Sequence, residues 1–232
     1  MNEMLFFAEI MLTFGTVVAA KKAFGKEGLT AWIAIATVLA NIMTAKTVTL
    51  FGMDTTLGTV LFASTFLATD ILTECYGKET AKRAVQVGVL SAIGFIVTSQ
   101  IALAYTASPY DYASEFMGGL FGLNLRISIA SVVMYFIANY VDVLLYDKLR
   151  RAMDGKKMWV RNNVSTILCN GLENFAFIWL AFAGIYPLKE ILIIAGSSTL
   201  VEVIAAVCDT PFLYLATRWK DGERTELATE RI

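Results

Sequence analysis

Apolar residues in this chain are gathered into long blocks, and the length of these blocks limits what the chain can form. Each block approaches the roughly 20 residues that a helix needs to cross a ~30 Å hydrocarbon core. The seven blocks are residues 4–20, 29–46, 57–76, 84–106, 126–147, 163–186 and 190–217. Only 17% of the residues are charged and 57% are hydrophobic, whereas about a quarter of a soluble domain is charged. We therefore predict an all-α, polytopic membrane protein.

The blocks also indicate how the chain is divided. The first block is short, carries Glu9 and is followed by a basic cluster, so residues 1–28 are predicted to form an extra N-terminal helix and a basic loop. This helix could span the membrane or lie in its interface as an amphipathic helix. Residues 29–218 are predicted to form a six-span core bundle, and residues 219–232 a charged cytoplasmic tail.

The distribution of basic residues predicts the orientation. With the N-terminus outside and seven alternating spans, 16 of the 19 Lys and Arg residues fall on the cytoplasmic side. The richest cytoplasmic segment is 148–161, with six of them, and the outside keeps Lys46, Arg126 and Lys189. Cytoplasmic loops carry an excess of Lys and Arg. We therefore expect a multi-pass protein of the cell membrane with a cytoplasmic C-terminus.

Several function classes lack their sequence signatures. The chain has no His, and its three Cys residues are scattered at 75, 169 and 208, so no metal-ligand cluster is expected. A phosphate-binding loop with a Walker lysine, GxSxG and HExxH are all absent, as is a repeated selectivity-filter loop. The sequence predicts neither an enzyme nor a channel, and no cofactor, metal or nucleic-acid partner.

The first candidate site is the stretch Thr69–Gly77, where two acids end an apolar run. Asp70 and Glu74 are four residues apart and share one face of a helix. A carboxylate near the bilayer centre costs roughly 2.5–3.5 kcal/mol on insertion scales. Asp70 lies deeper and is predicted to touch the substrate, and Glu74 is a candidate for coupling or gating. Alternatively, the two acids mark a wet cytoplasmic helix end.

Blocks five and six share a pattern in which an amide precedes an acid by three residues. Asn139 precedes Asp142, and Asn170 precedes Glu173, which is followed by Asn174. Two such devices on successive spans suggest an internal repeat of the kind found in transporters. Either amide could instead be a helix–helix contact. We predict that Asp142, Asn170, Glu173 and Asn174 bind substrate, with Glu173 near the midplane as the best candidate.

Further polar residues lie in blocks two and seven. Block seven carries Glu202 near the midplane, followed by Asp209 and Pro211, which is predicted to kink the helix because it cannot donate to the carbonyl of residue 207. Block two supplies Asn41 and Lys46. We predict that Glu202 and Asn41 bind substrate and that Asp209, Pro211 and Lys46 act in coupling or gating.

The acids of the spans outnumber the cations that flank them. Six acids face only Lys46 and Arg126, and they cannot all ionise in a dry core. Some are therefore protonated, or they line a wet cavity, or they await a cationic or donor-rich ligand. A flat ligand could stack on Phe175, which is predicted as a binding residue, or on one of three other aromatics: Trp179, Tyr76 and Tyr140.

These residues together resemble a known family. The motifs are Ala40-Asn41 with Lys46, Thr69-Asp70-x-x-Thr73-Glu74-x-Tyr76-Gly77, Asp142 followed by Leu149-Arg150-Arg151, Val164-Ser165-Thr166 with Asn170-x-x-Glu173, and Asp209-Thr210-Pro211-Phe212. In this order they are similar to the queuosine precursor transporter family, also described as vitamin uptake transporters. The resemblance covers residues 29 to 218 and implies uptake of a 7-deazaguanine base: preQ0, preQ1 or queuine. The expected partners are this base and membrane lipid, and a second copy of the chain could also be a partner in a homodimer.

Two alternatives remain open at the level of sequence. The chain could be the substrate-binding subunit of an energy-coupling-factor importer, which is also a small six-span vitamin binder. Ala36-x-x-x-Ala40 could be the small-residue groove with which such a subunit docks its partner. A membrane-embedded enzyme with paired carboxylates is a third class, but no motif supports it.

Overall fold

The computed structural model describes residues 1–122, 125–185 and 187–218. Within these ranges the chain forms seven helices and one two-stranded sheet, so the prediction of an all-α protein is confirmed, with a short β-hairpin added. The elements are α1 Asn2–Met43, β1 Thr47–Leu50, β2 Met53–Thr56, α2 Thr59–Tyr76, α3 Lys78–Ala104, α4 Ser114–Phe121, α5 Leu125–Ala152, α6 Met158–Phe182 and α7 Leu188–Thr217. The predicted tail, 219–232, lies outside the described residues.

The first helix reverses direction at Gly25. A straight helix of 42 residues would be about 60 Å long, yet the Asn2 amide donates to the Thr49 backbone oxygen over 3.1 Å. Gly25 has φ 59° and ψ −134°, a conformation open mainly to glycine. The two arms pack closely beyond this turn, because a Cβ on Gly28 would stand 2.3 Å from the Ala20 oxygen. The first two apolar blocks are therefore two arms of one helical hairpin.

The N-terminal arm belongs to the same hydrophobic core as the rest of the bundle. Phe6, Ile10 and Phe14 are buried in it, and the ring of Phe14 lies 5.5 Å from that of Phe212 on α7. The alternative of a helix lying in the interface therefore does not fit, because such a helix would have its apolar face in lipid rather than in the protein.

Five helices are long and apolar enough to cross a membrane by length and composition: Asn2–Met43, Lys78–Ala104, Ile129–Ala152, Met158–Ala181 and Leu188–Thr217. The protein is thus a polytopic membrane protein. The helix α2 is not among them, because Asp70, Glu74 and several threonines lower its hydropathy. It is nevertheless buried along most of its length, from Thr59 to Thr73. The helix that carries Asp70 and Glu74 therefore lies at the centre, where its neighbours are protein rather than lipid.

The short sheet follows α1 directly. Leu50 pairs with Met53 across a two-residue turn, Phe51-Gly52, and both turn residues have positive φ, 53° and 77°. This is the pattern of a type I′ turn, whose twist matches that of the strands it joins. Phe51 and Gly52 are thus the tip of a hairpin, and the Phe51 ring packs 6.0 Å from that of Phe6.

Two details of the sequence prediction change in the structure. Block six, predicted from residue 163, begins at Met158 as α6, so Arg161 lies in a helix rather than in a loop. Pro211 lies inside α7, and the kink expected there stays a prediction. Ala36 and Ala40 are fully buried, and the Ala40 oxygen lies 2.8 Å from where a Cβ on Gly58 would be. The small-residue stripe is therefore used inside the bundle.

Candidate functional site

The intramembrane polar residues lie in layers that start at one end of the bundle. This end, called the basic end here, holds the turn at Gly25, the junction at Gly77 and the connection 153–157. Two observations show that these segments lie together. A Cβ on Gly25 would lie 3.2 Å from the hydroxyl of Tyr76, the residue before Gly77, and the Arg161 guanidinium donates to the Gly155 oxygen over 2.9 Å.

Glu74 forms the layer nearest the basic end. Its carboxylate Oε2 accepts from Arg161 Nη2 on α6 at 2.5 Å, and Arg150 Nε on α5 lies 3.4 Å from the same oxygen. The Tyr146 hydroxyl donates to it over 3.3 Å. Arg161 is 1% exposed and also lies over the Tyr146 ring, 5.4 Å from its centroid. Glu74 therefore binds α2 to α5 and α6 and is more than a wet helix end.

Asp70 and Asp142 form the next layer, one helical turn deeper. Both side chains are 0% exposed, and their carboxyl groups face each other from α2 and α5 at hydrogen-bonding range. Among the described residues no donor reaches any of the four oxygens. Ser165 lies beside Asp142, but its hydroxyl donates to the Asn162 backbone oxygen over 3.3 Å.

Asp209 joins this layer from α7. It is fully buried, its Oδ1 accepts from Asn162 Nδ2 at 2.6 Å, and its Oδ2 meets no donor among the described residues. The neighbouring Thr210 hydroxyl accepts from Asn163 Nδ2 at 2.7 Å. The start of α6 is thus joined to α7 just before Pro211. Asn162 lies outside the block predicted from sequence, and Asn163 is the first residue of that block.

A third polar layer lies about 10 Å farther from the basic end than Asp209, since Glu202 precedes Asp209 by seven residues on one helix. Asn174 Nδ2 donates to Glu202 Oε2 over 2.7 Å, and Glu173 lies near enough to Glu202 and Tyr135 to interact electrostatically. Glu173 and Glu202 are surrounded by protein yet keep part of their surface accessible.

The remaining amides differ in how well they are satisfied. Asn139 accepts from the Thr65 hydroxyl at 3.3 Å and donates to the Tyr135 backbone oxygen over 3.1 Å, the contacts of a helix–helix link. Asn170 is 1% exposed, and its Oδ1 meets no donor among the described residues. Asn41 donates to the Thr37 oxygen of its own helix over 2.8 Å.

Two predicted residues are not brought to the acids. Phe175 is 43% exposed. It shares the outer face of α6 with three residues that are each more than half exposed: Leu168, Leu172 and Trp179. That face is apolar, as expected where a helix meets lipid. Lys46 is exposed in the turn between α1 and β1, where its backbone oxygen accepts from Leu57.

Sequence reasoning missed Asn162 and Thr166. Together with Asn170 and Asn174, which were predicted, they recur every four residues and form one buried polar stripe along α6. The repeat was available in the sequence, but it begins before the block on which the prediction was based. Tyr135 was also missed; its hydroxyl accepts from or donates to the Thr37 hydroxyl at 3.0 Å.

Comparison with known proteins now bears on this arrangement. Residues 56–216 match the family described as "Putative vitamin uptake transporter". This chain belongs to that family. A "Probable queuosine precursor transporter" of Bacillus subtilis (strain 168) is 34% identical over 215 residues, which cover 92% of this chain and 93% of the relative.

Two other relatives are more distant. A "Queuosine precursor transporter" of Escherichia coli (strain K12) is 27% identical over 62% of each chain. A "Probable queuosine precursor transporter" of Haemophilus influenzae is 30% identical over 57% of this chain and 54% of its own. No solved structure matches this chain. The resemblance seen in the motifs is confirmed, and the family is one of transporters rather than enzymes.

Proposed function

We propose that this protein carries a queuosine precursor, a 7-deazaguanine base, across the cell membrane and into the cytoplasm. The observation that carries the proposal is the 34% identity to the Bacillus relative, because it extends over 92% of this chain. It therefore includes the helices that hold the buried acids. The competing role, a docking subunit of an energy-coupling-factor importer, has lost its sequence support, because Ala36 and Ala40 are buried.

The layer of Glu173, Glu202 and Asn174 fits the base best. A guanine-like edge presents an N1–H and a 2-amino group in parallel, and a carboxylate accepts both. Glu202 already accepts from Asn174, whereas Glu173 meets no donor side chain in residues 1–122, 125–185 and 187–218. We therefore assign the edge of the base to Glu173. The free Asn170 Oδ1 offers a further acceptor on the same helix.

The proposed topology has a six-span core and one additional N-terminal span. The arms of α1 on either side of Gly25 supply two spans, and α2, α3, α5, α6 and α7 supply the other five. The α2 helix has 18 residues, which at 1.5 Å per residue nearly matches a ~30 Å core. The excess of Lys and Arg supports a cytoplasmic position for the basic end and the C-terminus, and a homodimer is an allowed assembly.

An uptake experiment tests the proposal. The chain is expressed in cells that lack both their own queuosine precursor transporter and the energy-coupling module, and labelled preQ0, preQ1 and queuine are supplied one at a time. Uptake of at least one compound is expected from the chain alone. Absence of uptake despite normal amounts in the membrane would overturn the proposal. Uptake only after the coupling module is restored would replace it with the docking-subunit role.

A further inference from the structure

The pair formed by Asp70 and Asp142 is chemically incomplete as it stands. Two carboxyl groups from different helices face each other with all four oxygens buried and, among the described residues, without a hydrogen bond. Ser165 lies beside Asp142, but its hydroxyl donates to the Asn162 backbone oxygen. A buried polar group without a partner is costly, and a buried carboxylate more so. Something that supplies positive charge or a hydrogen must therefore complete the pair.

The neighbouring side chains supply little positive charge to this pair. Asp209 approaches from α7 and adds negative charge, and Tyr146 and Cys169, from α5 and α6, are near but uncharged in their ordinary forms. Among the described residues, Arg161 is a cation that acts on Asp70, and its guanidinium is already bound to Glu74 and to backbone oxygens. The local charge balance therefore favours an added cation, and the smallest that fits between facing carboxyls is a proton.

We propose that Asp70 and Asp142 do not bind the base, as expected from sequence, but form the coupling site of the transporter, a carboxyl pair that holds one proton while α2 and α5 are closed and releases it when they part. The inference rests on the proposed function, since it supplies its driving force. In closed helices one carboxyl carries the O–H and the other accepts its hydrogen bond, as in other carboxyl pairs that share a proton. In parted helices each carboxylate meets water separately, the O–H bond breaks, and the proton passes to that water.

The neighbouring layers explain how proton release and substrate release are linked. Glu74 lies four residues from Asp70 on α2 and bonds to Tyr146 and Arg150, which follow Asp142 on α5. Opening of the basic end must therefore break the Glu74 contacts and separate the Asp70–Asp142 pair together. Glu173 lies on the far side of the pair from the basic end, so its ligand can leave toward the cytoplasm only past the same junction.

Purified protein in sealed vesicles tests the proposal. The membrane potential is clamped, and an inwardly directed proton gradient or Na⁺ gradient is imposed, each separately, while labelled preQ0, which carries no cationic amine, is supplied. For one proton per base, each pH unit should sustain about tenfold accumulation. In Asp70→Asn and Asp142→Asn, accumulation should be lost, whereas exchange of labelled for unlabelled base should persist. Asp154→Asn, the same change in an exposed turn, should behave as wild type.

The other possible outcomes would contradict the proposal. Accumulation driven by Na⁺ and not by protons, or by neither while exchange is intact, would overturn the proton site. Retained proton-driven accumulation in both variants would show that the pair is not where coupling occurs. If neither variant folds, a dye inside wild-type vesicles should still report acidification as base enters, and its absence overturns the proposal. Failure of wild type to exchange any precursor would instead overturn the proposed function.

Discussion

Glu74 on α2 and Arg161 on α6 form an ion pair at 2.5 Å across 87 residues of sequence. Arg161 is 1% exposed and Glu74 18% exposed, so both charges have left most of their water. Such a pair is not a strong source of net stability, but breaking it leaves a buried charge without compensation. Together with Tyr146 and Arg150 it closes the basic end of the bundle.

The first prediction concerns this pair. Glu74→Gln removes the charge that compensates Arg161 and should lower the free energy of unfolding by roughly 3 kcal/mol, measured by thermal or denaturant unfolding in detergent. Glu79→Gln serves as the control, because Glu79 is 70% exposed and pairs only with Lys82 three residues away. A Glu74→Gln protein as stable as the control would show that the pair is solvated.

The second prediction concerns the hairpin formed by α1. Gly28→Ala places a Cβ 2.3 Å from the Ala20 backbone oxygen, a contact that no side-chain movement can relieve. The arms must then separate, and overpacking of this kind costs roughly 1–3 kcal/mol. The amount of folded protein recovered from membranes and its melting temperature should both fall.

Gly15→Ala is the matched control for that change. A Cβ on Gly15 would meet nothing within 4 Å, and alanine is the better helix former by about 1 kcal/mol. The control should melt at or above the temperature of the wild type. Equal melting of Gly28→Ala and Gly15→Ala would mean that the two arms are not in close contact.

The sequence predicted the fold well wherever contact with lipid determines the length and hydropathy of a helix. Block length and hydropathy predicted the helices, and Gly77 was predicted as the end of α2, where it has φ 86°. The reversal at Gly25 lies in the basic loop predicted between the first two blocks, but the sequence did not indicate that helix continues on both sides of it. The start of α6 was placed five residues late, since Arg161 counts as a loop charge until its partner Glu74 is known.

For the site, sequence identified the acids but not their partners. Asp70, Asp142 and Asp209 were each found as costly residues in apolar blocks, but their meeting depends on how α2, α5 and α7 pack. Phe175 illustrates a missed signal. Its spacing of seven from Leu168 places the two on one helix face, and both are exposed in the structure. Proximity to Glu173 in sequence was a poorer guide than this period.

The third prediction concerns orientation. Lys156 lies exposed in the connection at the basic end, and Tyr110, which is 93% exposed, lies in the loop that follows α3. Under the proposed topology, a membrane-impermeant maleimide added to intact cells should label Tyr110→Cys and not Lys156→Cys, above the background of the three native cysteines. Both should react after the cells are opened. The reverse labelling pattern would show that the protein has the opposite orientation in the membrane.

The fourth prediction concerns Glu173 as the residue that binds the edge of the base. Glu173→Gln keeps the size of the side chain but replaces one acceptor by a donor, which would face the N–H of the ligand. Loss of a charged acceptor bond in a buried site costs roughly 1.5–3 kcal/mol. The dissociation constant of purified protein for preQ1 or queuine should therefore rise by about one to two orders of magnitude.

Glu190→Gln provides the control, because Glu190 is an exposed acid in the first turn of α7. It should bind the base as wild type does. Folding of Glu173→Gln should suffer little, since neutralising an acid within the membrane removes a desolvation cost. The opposing idea is that Glu173 is structural and pairs with a cation across the bundle. In that case the melting temperature would fall while the dissociation constant of the surviving protein stayed unchanged, so measuring both on one preparation decides between the two roles.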